Sequence, residues 1–195
     1  EKTPPHFLWN CKMRFGKTFA AYKLAEKMGW RKILVLTFQP AVESSWKDDL
    51  LSHQDFRGWK YFSKSTEMGD LPNEKSPFVG FGSFQDYLGK NDIGGIKYKN
   101  QSVHDTNWDC IILDEYHYGA WRDRAKELFD SDDKSENKKE IGEDIEDWDE
   151  NISPLKTNNY LYLSGTPFRA IESGEFIEEQ IFNWTYSDEQ ESKFK

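Results

Sequence analysis

The stretch FLWNCKMRFGKTFAAYKLAEKM, Phe7 to Met28, sets a short apolar run against a Gly-Lys-Thr triplet and then a helix-patterned segment. Phe7–Cys11 reads as a strand. From Lys17 to Met28, Phe19, Ala20, Leu24 and Met28 recur at threes and fours, which predicts a helix that Gly29 stops. A loop that leaves a strand and opens a helix turns backbone N–H groups and the positive end of the helix dipole toward an anion. Gly16, Lys17 and Thr18 fit the end of the phosphate-loop pattern G-x-x-x-x-G-K-[ST], with Lys17 suited to outer phosphates and Thr18 to Mg2+. Cys11 holds the first glycine position and Arg14 lies inside the loop. Those residues are tolerable only if the backbone there needs no positive φ. The plain alternative is that Lys17 and Thr18 begin an ordinary surface helix.

Beyond this unit the alternation of strand and helix continues. KILVLTF (Lys32–Phe38) is a nearly unbroken apolar run, the type expected of a parallel strand covered on both faces. Pro40 closes it, and Ala41–Leu51 returns to helical spacing. Trp59–Ser63, Phe78–Phe84, Asp109–Glu115 and Tyr160–Gly165 read as further strands; about Trp121–Phe129 and Ser173–Phe182 read as helices. Lys90–Asn107, polar and Gly-rich, reads as an irregular connection. The pattern predicts an α/β fold, a mainly parallel sheet with helices on both faces.

Composition bounds what such a domain can be. The 195 residues suit one domain, and eight Trp, nine Tyr and fourteen Phe exclude a disordered chain. No apolar run approaches the roughly 18 residues of a membrane span, and no leader pattern is visible. Cys11 and Cys110 sit in apolar stretches without metal-ligand spacing, so the expected setting is reduced and cytoplasmic, with no membrane partner. The net charge of −9 argues against nucleic acid until its distribution is seen. Asp130–Glu150 holds eleven acidic and three basic residues, which accounts for −8 of the total. Residues 130–151 therefore read as an acidic surface insertion in an otherwise near-neutral domain.

Two further segments carry chemistry. In IILDEYH (Ile111–His117) a strand ends in two carboxylates, which places Asp114 and Glu115 at the carboxyl edge of the sheet, where open α/β sheets bind ligands. There Asp114 could hold Mg2+ and Glu115 could orient and activate a water. An acidic strand end with Glu115 as a surface ion-pair partner is the competing reading. YLYLSGTPFRA (Tyr160–Ala170) runs a strand into Ser-Gly-Thr-Pro, which on its own is also simple turn chemistry. His6, His53 and His104 have no partners at ligand spacing and read as surface or loop histidines. Trp46 and Trp59 read as core residues rather than base-stacking platforms.

GKT, DEYH and SGTP, in that order and spacing, resemble motifs I, II and III of superfamily 2 helicases and translocases. LTFQPAVESSW (Leu36–Trp46) lies where that family has motif Ia, and GFGSFQDY (Gly80–Tyr87) where it has the next strand-end motif. The wording of LWNCKMRFGKT, NWDCIILDEYHYGAW and LSGTPFRA is most similar to the helicase-like subunits of bacterial type I and type III restriction enzymes. The resemblance runs from Phe7 to about Tyr186. It implies a RecA-like P-loop domain that uses ATP and Mg2+ and acts on double-stranded DNA. Gly16, Lys17 and Thr18 would then bind phosphates, with Arg14, Phe15 and Phe19 beside the nucleotide. Thr18 and Asp114 would serve the metal, and Lys17, Asp114, Glu115 and His117 would be catalytic. Ser164 and Thr166 would couple nucleotide state to the polymer, and Gln39, Pro40, Ser83 and Phe84 would lie along the nucleic-acid track. Residues 1–195 would form the first of two motor domains. The implied partners are a second RecA-like domain and other restriction-modification subunits. An RNA helicase domain, or a P-loop module kept for protein docking through the acidic insertion, are the alternatives.

Overall fold

The computed structural model describes residues 4–12, 14–64, 71–88, 97–116, 155–165, 174 and 176–193. Nine strands lie among them: β1 His6–Cys11, β2 Lys32–Thr37, β3 Lys60–Phe62, β4 Phe78–Ser83, β5 Asn107–Trp108, β6 Cys110–Asp114, β7 Lys156–Thr157, β8 Tyr160–Ser164 and β9 Ile181–Trp184. Seven form one sheet in the order β3-β4-β2-β6-β8-β1-β9, and every pairing within it is parallel. Strands β5 and β7 make a separate two-stranded parallel pair. The α-helices among the described residues are α1 Lys17–Met28, α2 Glu43–Ser52, α3 Phe84–Leu88, α4 Gln101–Asp105 and α5 Tyr186–Lys193.

The continuous apolar strands are explained by cover on both faces. Side chains alternate across a strand, so Ile33 and Val35 of β2 pack with Ala21, Tyr22 and Ala25 of α1 and with Trp46 and Leu50 of α2. Leu34 and Leu36 point the other way, into a second cluster with Trp108, Ile111, Leu113 and Tyr162. Helix α1 ends as its sequence implies, with Gly29 at φ 70 in the left-handed conformation that caps a helix.

Three expectations are corrected. Ser173–Phe182 reads as a helix, yet Glu178–Gln180 is a single 3-10 turn and Ile181–Trp184 is strand β9, paired with Leu8–Cys11. The tertiary partner decides: the Phe182 ring sits 5.9 Å from that of Trp9, and the helix comes later, as α5. Within the stretch read as irregular, Gln101–Asp105 is a helix, and Trp108 Nε1 donates to the Val103 carbonyl at 3.0 Å. That helix buries His104, 5 % exposed, whose Nε2 lies 2.8 Å from the Tyr87 carbonyl oxygen. His104 is therefore a core residue rather than a surface or loop histidine. The expected helix at Trp121–Phe129 and the acidic segment 130–151 lie outside the described residues.

Candidate functional site

Parallel pairing brings the strand ends into one rim. Thr37 of β2 pairs with Ser83 and with Asp114, and Asn10 of β1 pairs with Ser164. Because all these strands run the same way, the residues that follow them emerge on the same side. The loop after β1, Gln39–Pro40 after β2, Ser83, Asp114–Glu115 and Ser164 thus share one edge. β8 lies between β1 and β6.

The loop itself differs from expectation in one respect. Cys11 is extended and paired with Trp184, so its position needs no glycine. Arg14, however, has φ 63, and Gly16 has φ 85. The backbone at 14 does require the left-handed region, and an arginine occupies it at a cost of about 1–3 kcal/mol for such strain. Contacts from the last strand and helix support the loop. The Lys12 N–H donates to the Trp184 carbonyl at 3.2 Å, and its ammonium pairs with Glu189 and lies 5.2 Å from the Tyr186 ring centroid. The Phe15 ring lies 5.8 Å from that of Trp184. Arg14→Gly should relieve the strain and raise unfolding stability by about 1 kcal/mol, read from urea denaturation midpoints. An unchanged or lower midpoint would contradict the left-handed assignment.

Helix α1 opens at Lys17 with Gly16 as N-cap, no side-chain cap and no acidic residue in its first turn. Its N-terminal amides are thus not neutralised by a carboxylate of their own, which suits an external anion. Burial pushes the Cys11 thiol beneath this loop up to about 11, despite the opposing charge of Lys17. At neutral pH it is a packing group, not a nucleophile.

Two strands away, Asp114 closes β6 at 5 % exposure. Its Oδ2 accepts from Trp46 Nε1 at 2.8 Å, and its Oδ1 accepts from the Glu115 backbone N–H at 2.9 Å. Burial raises its pKa; donation from the Trp46 indole opposes that rise, the neighbouring Glu115 charge adds to it, and Lys17 pulls the other way. Glu115 sits at φ 54, a second strained non-glycine residue at this rim. That turn leaves its side chain 31 % exposed, with Oε1 3.9 Å from Lys17 Nζ. This distance joins the glycine loop and the carboxylate pair in one site.

Other residues of the expected set are placed less directly. Thr18 lies half-buried in the first turn of α1. The Phe19 ring packs edge-on to His53 at 4.8 Å and Phe56 at 5.7 Å, toward α2. Gln39 donates its backbone N–H to Thr37 Oγ1 at 3.0 Å, and Pro40 opens a 3-10 turn; both are exposed on the rim. The Ser83 hydroxyl donates to Asp86 at 2.8 Å and accepts its N–H at 3.1 Å, a capping role at α3, and Phe84 is buried against Phe38. Ser164 is fully buried. His117 and Thr166 lie outside the described residues. Sequence reasoning places Trp46 correctly in the core but misses its bond to Asp114. The available signal was chemical: a buried indole N–H requires an acceptor.

No family model matches the chain. It is 36% identical over 208 residues to a Mycoplasma pneumoniae protein described as the C-terminus of a candidate type II restriction enzyme and methyltransferase. That match takes in 96% of this chain but only 29% of the relative's length. Among solved structures, the SWI2/SNF2 ATPase core of Sulfolobus solfataricus in complex with dsDNA aligns with 94% of this chain and 41% of its own. The TM-score is 0.57 at 14% sequence identity. The likeness, with the seven-stranded parallel sheet, establishes the fold as the α/β RecA-like fold of such ATPase cores.

Proposed function

We propose that this chain is the ATP-binding and ATP-hydrolysing motor domain of a DNA helicase or translocase belonging to a restriction system. The observation that carries the reading is the convergence of Lys17 and Glu115, 3.9 Å apart, beside a buried Asp114 at the end of a parallel strand. The residues fit a magnesium nucleotide. An uncapped helix start and a lysine suit phosphate, while a hydroxyl and a held carboxylate supply hard oxygen donors for Mg2+.

In this reading Gly16, Lys17 and Thr18 hold the phosphates, and Arg14, Phe15 and Phe19 border the nucleotide. Thr18 and Asp114 serve the metal, and Glu115 orients and deprotonates a water. When bound, magnesium supplies charge that stabilises the transferring phosphoryl group. His117, Ser164 and Thr166 link the site to the polymer, with Gln39, Pro40 and Ser83 along its track. The domain works with a second RecA-like domain, a reading supported by the relative's much greater length. Double-stranded DNA is the proposed substrate, since the fold neighbour is described in complex with dsDNA. A restriction setting is supported by the relative's description, whose type II class with methyltransferase sits beside motif wording that resembles type I and III subunits.

The test is ATP turnover by the full-length protein with double-stranded DNA, single-stranded DNA or RNA. Stimulation by double-stranded DNA, abolished by Lys17→Ala, is expected. The 195-residue chain alone should turn over about 10³-fold or more slowly, because an arginine from a facing domain contributes roughly 10³ to 10⁵ in rate. Stimulation by RNA alone, or turnover indifferent to Lys17→Ala, would overturn the assignment.

A further inference from the structure

We propose that Trp46 is a positioning residue for Asp114: its indole N–H fixes the carboxylate's orientation and ties α2 to the metal-binding end of β6. The proposal rests on the nucleotide-site reading above and assigns a function to a residue that its burial alone would mark as packing.

Trp46 is fully buried, so its N–H must find an acceptor or cost desolvation energy. It could have met a backbone carbonyl; instead it meets Asp114 Oδ2, from a helix 68 residues earlier in the chain. With Trp46 on one oxygen and the Glu115 N–H on the other, rotation of the carboxylate about its terminal torsion breaks at least one bond. An ionised carboxylate has about four acceptor positions, so two donors hold it while leaving capacity for a ligand. The indole is itself held. The Tyr22 hydroxyl donates to the Trp46 carbonyl at 2.8 Å, and the two rings meet edge-on at 5.3 Å. Tyr22 belongs to α1, the helix that begins with Lys17 and Thr18. Three elements carrying separate parts of the site thus meet through one side chain: α1 through Tyr22, α2 through Trp46 and β6 through Asp114.

Partners that orient a metal ligand typically contribute 10- to 100-fold in metal affinity. The experiment is titration of the 195-residue chain with a fluorescent ATP analogue, in EDTA and across a range of Mg2+, for wild type and Trp46→Phe. Trp46→Phe should raise the Mg2+ half-saturation about tenfold. It should leave metal-free nucleotide affinity within about twofold, since Lys17 and the loop are untouched. In an Asp114→Asn background the same substitution should add no further loss of metal response. A Mg2+ half-saturation equal to wild type would overturn the proposal, as would equal losses of metal-free and metal-dependent binding, which signify packing alone. If Trp46→Phe does not fold, the benzothienyl analogue of tryptophan at this position keeps the shape, lacks the N–H, and must give the same metal-specific loss. Wild-type binding with no metal response would bring down the nucleotide-site reading as well; an intact wild-type response with an unaffected variant removes only the role of Trp46.

Discussion

Glu115→Gln in the full-length protein should lower ATP turnover by about 10²- to 10⁴-fold while leaving nucleotide affinity within a few-fold. The magnitude is that of a general base removed from a positioned water. Three features favour this proposed role over that of a surface ion-pair partner. Its backbone is strained at φ 54, immediately after a buried strand. The adjacent Asp114 is locked by two donors, which leaves Glu115 as the more exposed and adjustable of the two carboxylates. Its Oε1 lies 3.9 Å from Lys17 Nζ, within the site yet longer than a direct hydrogen bond. Glutamine keeps the size and the polar end but cannot take a proton. Steady-state turnover and equilibrium binding, measured side by side, separate the two roles. A fall of only a few-fold in turnover would show that the pair with Lys17 is structural.

The second large effect concerns the sheet rather than its rim. Gly82→Ala should destabilise the chain by about 3 kcal/mol, at the upper end of what overpacking a well-filled core costs. A Cβ at position 82 would lie 2.2 Å from Tyr87 Cε2 and 2.5 Å from its Cζ, far inside contact distance. Tyr87 cannot simply swing away. It is 4 % exposed, and its hydroxyl donates to the Phe81 carbonyl at 2.8 Å. Moving the ring would forfeit that buried bond and disturb α3, which is capped by the rim residue Ser83. Urea unfolding of Gly82→Ala and of the same change in a Tyr87→Leu background checks the cause. The cost should shrink sharply once the ring is gone. An equal cost in both backgrounds would place the origin in the strand backbone instead.

Glycines 80 and 82 also show how far the sequence could be read. FVGFGSF reads as a strand from its aromatic and β-branched residues, and it is one. The reason for its two glycines is invisible without the fold: the Trp108 ring lies over Gly80, and Tyr87 over Gly82. The strands β2, β6 and β8 were legible because burial on both faces leaves a continuous apolar run. The convergence of the candidate residues at one rim could be read for a similar reason, since each group lies within a few residues of the end of its strand. What escaped depends on distant partners. Ile181–Trp184 becomes a strand only because β1 offers an edge. The left-handed backbone at Arg14 contradicts the residue's own preference, and the contacts of Lys12 and Phe15 with the segment from Trp184 to Glu189 support the loop that contains it. The Trp46–Asp114 bond spans 68 positions that no local pattern connects.

The central claim is that the Gly16–Thr18 loop and the Asp114–Glu115 pair act as one site for a nucleotide and its divalent ion. Its most direct test is nucleotide titration of wild type and Asp114→Asn, each with and without Mg2+. The account predicts that Mg2+ tightens binding to wild type and that this gain disappears in Asp114→Asn, while metal-free affinity is preserved. Absent binding in wild type, or binding that Mg2+ affects equally in both proteins, would contradict it.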